Sequence, residues 1–384
     1  MPSRHNWDIF CRVVDNFGDA AVCWRLARQL TTEHQAAVRL WIDDLAPLHA
    51  LCHEVTQGVA QQTVGGITVC AWPPEWRAVL GADVVIEAFG CGLPDPYVAA
   101  MAQSCPRPVW IVLEYLSAER WVSRHHGLPS PHPPSGIPRY FFFPGFERDT
   151  GGVLREDDLA QRRAAFGSVA REALWGRLGF AMPPEDASVI SLFCYPDAPL
   201  SALLASWEDG ATSTIAAIPQ GKTDVVVAAH FGERGAVRAG QTLKRGNLEV
   251  RVVPFVEQAA YDELLWSCDC NFVRGEDSFV RAQWAALPLV WQAYPQDEAA
   301  HRRKVEAFLD LYCAALPQHM AAAVRSMWRA WNGAAGIPVH DAWAGFWAQR
   351  AELVQHGRAW AAQLASGPEL AAALAQFCAD RLKY

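Results

Sequence analysis

The chain has 384 residues, 51% hydrophobic and 19% charged; at roughly 150 residues per domain this describes two or three folded domains and excludes a disordered or fibrous protein. Lys and Arg total 33 against 41 Asp and Glu, a net charge of −8. The whole chain therefore has no counterion-release drive toward nucleic acid, and an anionic ligand needs a local site.

Five short apolar runs predict strands in the first half: WDIFCRVV at 7–14, AVRLWI at 37–42, ITVCAW at 67–72, DVVIEAF at 83–89 and VWIVLEY at 109–115. Helical patterns at 20–30 and 97–103 fall between them, and that alternation predicts a doubly wound parallel sheet. The stretch 116–185 is rich in Pro, Gly and charge, with no strong strand period. A second cycle has strands at 188–195 (SVISLFCY), 224–231 (DVVVAAHF), 248–255 (LEVRVVPF), 268–273 (CDCNFV) and 288–294 (PLVWQAY), with helices at 200–207, 259–266 and 298–313. From 318 onward Ala and Trp recur at helical spacing, so Trp328, Trp331, Trp343, Trp347 and Trp360 read as helix core. The expected organisation is α/β with two Rossmann-like domains, 1–182 and 183–357, and a C-terminal helical segment, 358–384, returning to the first domain.

Eleven Cys, with no CxxC and only Cys268 and Cys270 close together, indicate neither a disulfide framework nor a zinc site but reduced thiols of a cytoplasmic protein. The apolar run at 7–14 is too short and too charged for a signal peptide, and no run approaches the roughly 18 apolar residues of a membrane span. Gly221-Lys222-Thr223 imitates the end of a phosphate-binding loop, but the required first glycine position is Ala216 and the triplet precedes a predicted strand. GxGxxG, GxSxG and HExxH do not occur, and His125, His126 and His132 share a Pro-rich loop with no carboxylate or Cys at ligand spacing.

Two βα turns carry the chemistry. Asp15-Asn16-Phe17-Gly18-Asp19 follows the first strand, at the edge where doubly wound sheets bind ligands. Gly18 permits close approach of a ligand, and Asp15 and Asp19 bring two carboxylates into one turn; Asp19 would equally serve as a helix cap before Ala20. Arg274-Gly275-Glu276-Asp277-Ser278 holds the matching position in the second half. A helix start there favours phosphate oxygens, Ser278 adds a hydroxyl, Arg274 offsets phosphate charge, and Glu276 or Asp277 suits a sugar hydroxyl. A nucleotide site on one half and a carboxylate on the other, facing across a cleft, is the GT-B plan of two-domain glycosyltransferases.

The segments IFCRVVDNFGD, LWIDDL, VVIEAF, EYLSAE, PSP, GGVLRE, PFVEQ, RGEDSFVRAQ and YPQDE occur in this order. Together they closely resemble the EarP family of bacterial protein-arginine rhamnosyltransferases. The resemblance implies inverting transfer of L-rhamnose from dTDP-β-L-rhamnose to an arginine of translation elongation factor P, without a metal or other cofactor; charge and the absence of an apolar span add the expectation of a cytoplasmic protein without a nucleic-acid or membrane partner. The resemblance makes Asp19 the catalytic base and Asp15 its partner. It places Phe193, Tyr195, Gln258 and Tyr261 around thymine and ribose, and Glu276, Asp277 and Ser278 on ribose and diphosphate. Asn16, Phe17 and Gly18 are counted with the donor contacts, beside Arg274. Family members often carry Phe where this chain has Tyr261. A carboxylate suits the reaction, because a guanidinium is protonated and its lone pairs are delocalised until it is held and relieved of a proton. The alternatives are a sugar transferase with a lipid or small acceptor and a non-catalytic two-lobed binding protein.

Overall fold

The computed structural model describes residues 5–15, 17–76, 81–295, 300–334 and 336–383. Asn16 lies outside the described residues, as do Gln296, Asp297 and Glu298 of the YPQDE segment. Contacts divide the chain into two units, Met1–Asp157 with Leu364–Tyr384, and Asp158–Gln363.

The first unit runs β1 (Asn6–Cys11), α1 (Gly18–Thr32), β2 (Ala37–Ile42), α2 (Leu45–Leu51), β3 (Gln61–Val64), β4 (Ile67–Ala71), β5 (Val84–Ala88), α3 (Asp95–Gln103), β6 (Val109–Leu113), α4 (Trp121–His125), β7 (Pro129–Pro131) and β8 (Pro138–Phe142). Its sheet has the order β3-β4-β2-β1-β5-β6-β8-β7, with only the outer strands β3 and β7 antiparallel to their neighbours. Every residue of β5 and β6 is buried, the burial expected of strands covered on both faces. The chain builds outward from β1 through β2 to β4, then returns to β5 on the other side, so the strand order reverses between β1 and β5. One core cluster joins Phe10, Trp41, Tyr97 and Trp110 around the buried Asp8, which Arg39 holds bidentately at 2.8 and 2.6 Å.

The second unit runs α5 (Leu159–Ala165), α6 (Ser168–Arg177), β9 (Ser188–Leu192), α7 (Leu200–Glu208), β10 (Thr214–Pro219), α8 (Asp224–His230), β11 (Thr242–Arg245), β12 (Leu248–Val253), α9 (Gln258–Trp266), β13 (Cys270–Arg274), α10 (Asp277–Ala285), β14 (Leu289–Gln292), α11 (Ala300–Tyr312), α12 (Gln318–Trp331), α13 (Val339–Trp347) and α14 (Arg350–Ala365). The sheet order β11-β12-β10-β9-β13-β14 reverses between β9 and β13. Four of the five tail Trp residues are core, Trp328 and Trp331 fully buried and Trp343 and Trp360 buried, while Trp347 is half-buried; Phe308 stacks on Trp328 at 5.4 Å. All eleven cysteines are free thiols, and burial pushes that of Cys268 up to about 12.

Three features differ from the sequence expectation. Residues 224–231 are not a strand: Asp224–His230 is helix α8, and the strand beside β9 is β10. The β-branched run turns Val227 and Ala228 inward and leaves Val225 62% exposed, so tertiary packing overrides β propensity there. Gly221-Lys222-Thr223 consequently follows a strand and opens a helix, but Ala216 sits in the middle of buried β10 and the Gly221 N–H is donated to Asp224 Oδ1 at 2.8 Å. The stretch 116–185 supplies β7 and β8 to the first sheet. Finally, the division falls at 157/158, not 182/183, because α6 packs Leu174, Trp175 and Leu178 against Val189, Ala217 and Leu264 of the second unit. The chain rejoins the first unit at 364, not 358, where α15 (Leu370–Arg381) packs beside α1 and sets Phe377 edge-on to Tyr140 and Phe142.

Candidate functional site

In each unit the candidate residues gather where the strand order reverses, the place at which doubly wound sheets bind ligands. In the first unit that place is the β1–α1 turn. Asp19 lies in the first turn of α1, where a negative charge complements the helix dipole, and is 1% exposed. Its Oδ2 accepts the N–H groups of Val14 and Asp15 at 2.8 and 2.9 Å, and its Oδ1 accepts the Tyr115 hydroxyl at 3.0 Å. Asp19 is therefore not the helix cap; Phe17 holds that position without a side-chain cap bond. Asp15 is half-buried. A Cβ on Gly18 would stand 3.0 Å from Asp15 Oδ2, so the glycine makes room for a carboxylate of its own turn.

Tyr115, from the end of β6, stacks on Phe89 at 4.3 Å with an interplanar angle of 11°. Phe89 immediately follows β5 with φ of +56°, a strained conformation for a bulky residue, of the kind concentrated at functional sites. Neither residue stood out in the sequence; Tyr115 belongs to EYLSAE and Phe89 to VVIEAF, and those segments were the available signal. Tyr115→Phe removes one hydrogen bond to a carboxylate, an effect of about 1.5–3 kcal/mol at most. Turnover is expected to fall about tenfold with the fold intact; an unchanged kcat would reduce the tyrosine to a packing role.

In the second unit Phe193 and Tyr195 leave the end of β9 and Arg274 ends β13, the two strands flanking the reversal. The Arg274 guanidinium is 4.3 Å from the Phe193 ring centre and 4.5 Å from that of Tyr195, a cation–π arrangement. Arg274 is 7% exposed, and its buried Nη1 has no hydrogen-bond partner among the described residues. Ser278 Oγ donates to the Arg274 carbonyl and accepts the Arg274 N–H at 3.2 Å. Through both bonds the hydroxyl positions the Arg274 backbone at the end of β13.

Gly275, with φ of +67°, makes the sharp turn from β13 into α10, and its carbonyl accepts the Trp291 indole N–H at 2.7 Å. Tyr261 stands edge-on to Phe193 at 6.2 Å, and burial raises its phenol well above the ordinary value. Gln258 is buried at the start of α9; Glu276, half-buried, and Asp277, buried, sit at the start of α10. A buried bidentate pair, Arg281 with Asp262 at 2.8 and 2.7 Å, ties α9 to α10. The sequence had not singled out Gln292, which accepts the Tyr195 N–H at 2.8 Å and donates to Asp197 at 3.0 Å. Of the three histidines expected in a loop, His125 instead ends helix α4 and His126 caps it; all three are occupied locally, His125 with the Trp121 carbonyl, His132 with Ser135, and His126 accepting the Phe143 N–H.

The sequence model described as Elongation-Factor P (EF-P) rhamnosyltransferase EarP matches residues 7–379. The chain belongs to the EarP family. The protein-arginine rhamnosyltransferase of Pseudomonas putida is 47% identical over 381 residues, 99% of this chain and 100% of the relative. That of Pseudomonas aeruginosa is 44% identical over 379 residues, 98% of this chain and 100% of the relative. A solved structure concerned with EarP-mediated arginine glycosylation of translation elongation factor EF-P aligns with a TM-score of 0.70 at 36% identity, covering 98% of this chain and 99% of that one. The MurG structure from Acinetobacter baumannii aligns at 0.52 with 11% identity over 99% of each chain, a likeness of fold alone. The EarP-family chain is thus a protein-arginine rhamnosyltransferase with the GT-B fold expected from its sequence. A non-catalytic binding protein and a transferase of lipid acceptors are set aside. Among the described residues no helix is long and apolar enough to cross a membrane.

Proposed function

We propose that this enzyme moves L-rhamnose from dTDP-β-L-rhamnose to an arginine side chain of elongation factor P in the cytoplasm, with inversion at the anomeric carbon. The observation that carries the donor half is Arg274: a buried guanidinium, flanked by two aromatic rings, with one nitrogen lacking a partner. Leaving such a donor unpaired costs about 1–3 kcal/mol or more, and an anionic oxygen of a nucleoside diphosphate relieves that cost. The neighbouring aromatic side chains, Phe193, Tyr195 and Tyr261, suit a base and ribose, and Gln258, Glu276 and Asp277 at the helix starts suit ribose hydroxyls.

In this reading Asp19 and Asp15 receive the acceptor guanidinium. The carboxylate orients one nitrogen toward the anomeric carbon and accepts a proton as the N–C bond forms; the C–O bond to the diphosphate breaks, and its electron pair leaves with dTDP. Charge on the leaving group is met by Arg274 and the amides at the start of α10. Incubating elongation factor P with the enzyme and dTDP-β-L-rhamnose and measuring its intact mass tests the proposal. One added deoxyhexose on arginine, with the α configuration by NMR, is the expected product; an unmodified acceptor refutes the donor assignment.

Because protein groups alone meet the diphosphate charge in this scheme, transfer is expected to survive excess EDTA and to gain nothing from Mg²⁺ or Mn²⁺. Loss on chelation with recovery on adding a divalent ion would make Glu276 and Asp277 candidates for metal ligands.

A further inference from the structure

Helix α10 begins at the donor residues, and its other end lines a separate open cavity of about 220 Å³ within the second unit. Phe166 and Trp266 form its aromatic wall, edge to face at 5.6 Å. The turn 285–287 contributes an apolar side, closed by Ala286 in a left-handed conformation at φ +58°. A Cβ on Gly357 would lie 3.0 Å from the Ala286 carbonyl carbon, so α14 lies close against this turn and carries Arg358 to the cavity. Arg163 of α5 completes the lining and donates from Nη1 to the Trp284 carbonyl at 2.6 Å.

That bond satisfies a terminal carbonyl of α10. It does not account for a second guanidinium beside the first. Among the described residues neither Arg163 nor Arg358 has an ion pair, and Arg358 has no hydrogen bond. On the helices that supply the cavity, Asp158 at the start of α5 pairs with Arg162, and Asp262 and Glu263 of α9 pair with Arg281 and Arg177. Burial, and then the charge of Arg358, lower the proton affinity of Arg163, consistent with two like charges held close without a counter-ion.

We propose that this cavity is a second binding site, apart from the donor residues, for a small aryl anion: a flat ring against Phe166 and Trp266, and one phosphate or carboxylate between Arg163 and Arg358. The volume falls below the roughly 300–1,000 Å³ of pockets for drug-sized ligands, so it suits one ring and one anionic group. Paired guanidiniums suit a planar or tetrahedral oxyanion through bidentate hydrogen bonds.

The test is calorimetric titration of the full-length enzyme with phenyl phosphate and with inorganic phosphate, in saturating dTDP to occupy the donor residues. Phenyl phosphate is expected to bind saturably under those conditions and at least about fivefold more tightly than inorganic phosphate, since the ring adds apolar contact. Arg358 is exposed, so its variants are expected to fold. Arg358→Glu, which supplies a carboxylate to Arg163, should weaken phenyl phosphate at least about tenfold, and Arg358→Ala should weaken it by less. Absence of saturable binding, loss of binding on adding dTDP, or equal affinity in Arg358→Glu and Arg358→Ala as in the unaltered enzyme would overturn the site. Equal affinity for the two phosphates would overturn its aromatic half.

Discussion

Asp19→Asn is expected to reduce rhamnosyl transfer at least about 100-fold, the usual scale for loss of a general base, while the melting temperature moves by less than about 2 °C. The substitution is unusually clean because of how Asp19 is held. One carboxylate oxygen accepts the Val14 and Asp15 N–H groups, and the other accepts the Tyr115 hydroxyl. An asparagine oxygen can keep both backbone bonds, and its NH₂ can donate to the Tyr115 oxygen once that hydroxyl turns its proton away. The turn keeps its shape and the negative charge disappears. Asp19→Ala, by contrast, leaves two backbone donors without their acceptor and should lower stability as well. Initial rates on elongation factor P, paired with thermal melts of both variants, separate the two effects. Near-normal rates for Asp19→Asn would show that the aspartate pins the turn and takes no proton, leaving the half-buried Asp15 as the reacting carboxylate.

The central strands were legible in the sequence for a physical reason: strands buried on both faces read as unbroken apolar runs, as in VVIEA and VWIVL. Edge strands gave no such signal, since QQTV, PSP and TLKR are polar or proline-bearing segments. The one exchange of element type, β10 for α8, arose because the Ala-rich strand TIAAIP has weaker β character than the valine run that follows it. The early boundary between the units was hidden because α6 contributes only a few large apolar residues to the second core, among many charges. Both candidate turns were visible, since each is a short polar segment with glycine directly after a strand. Their partners were not: Tyr115 reaches Asp19 across 96 residues and Gln292 reaches Tyr195 across 97, separations set by sheet order instead of local pattern. The Ser278 bond to Arg274 spans only four residues, yet the sequence pattern did not show that the hydroxyl also holds the arginine backbone.

Arg274→Met is expected to weaken dTDP binding about 30- to 100-fold, the equivalent of about 2–3 kcal/mol for losing a charge-assisted, desolvated contact. The same variant should melt no lower than the unaltered enzyme, and higher if the buried guanidinium is a net cost to the free protein. Methionine fills the space between Phe193 and Tyr195, 4.3 and 4.5 Å from the present guanidinium, with a flexible, polarizable chain. It also removes a nitrogen that is buried without a hydrogen-bond partner. A residue kept for folding would behave in the opposite sense, because losing it would lower the melting temperature and leave nucleotide affinity alone. Arg274→Lys adds a second discrimination: it keeps the charge but loses the planar fork and the stacking surface, so binding should fall by less than in the methionine variant and remain below the original. Calorimetric titration with dTDP, together with the rise in melting temperature that dTDP produces in each variant, measures both quantities on the same samples. Full-strength dTDP binding by Arg274→Met would remove the donor site from the β9–β13 reversal, and with it the account of how the leaving diphosphate is stabilised.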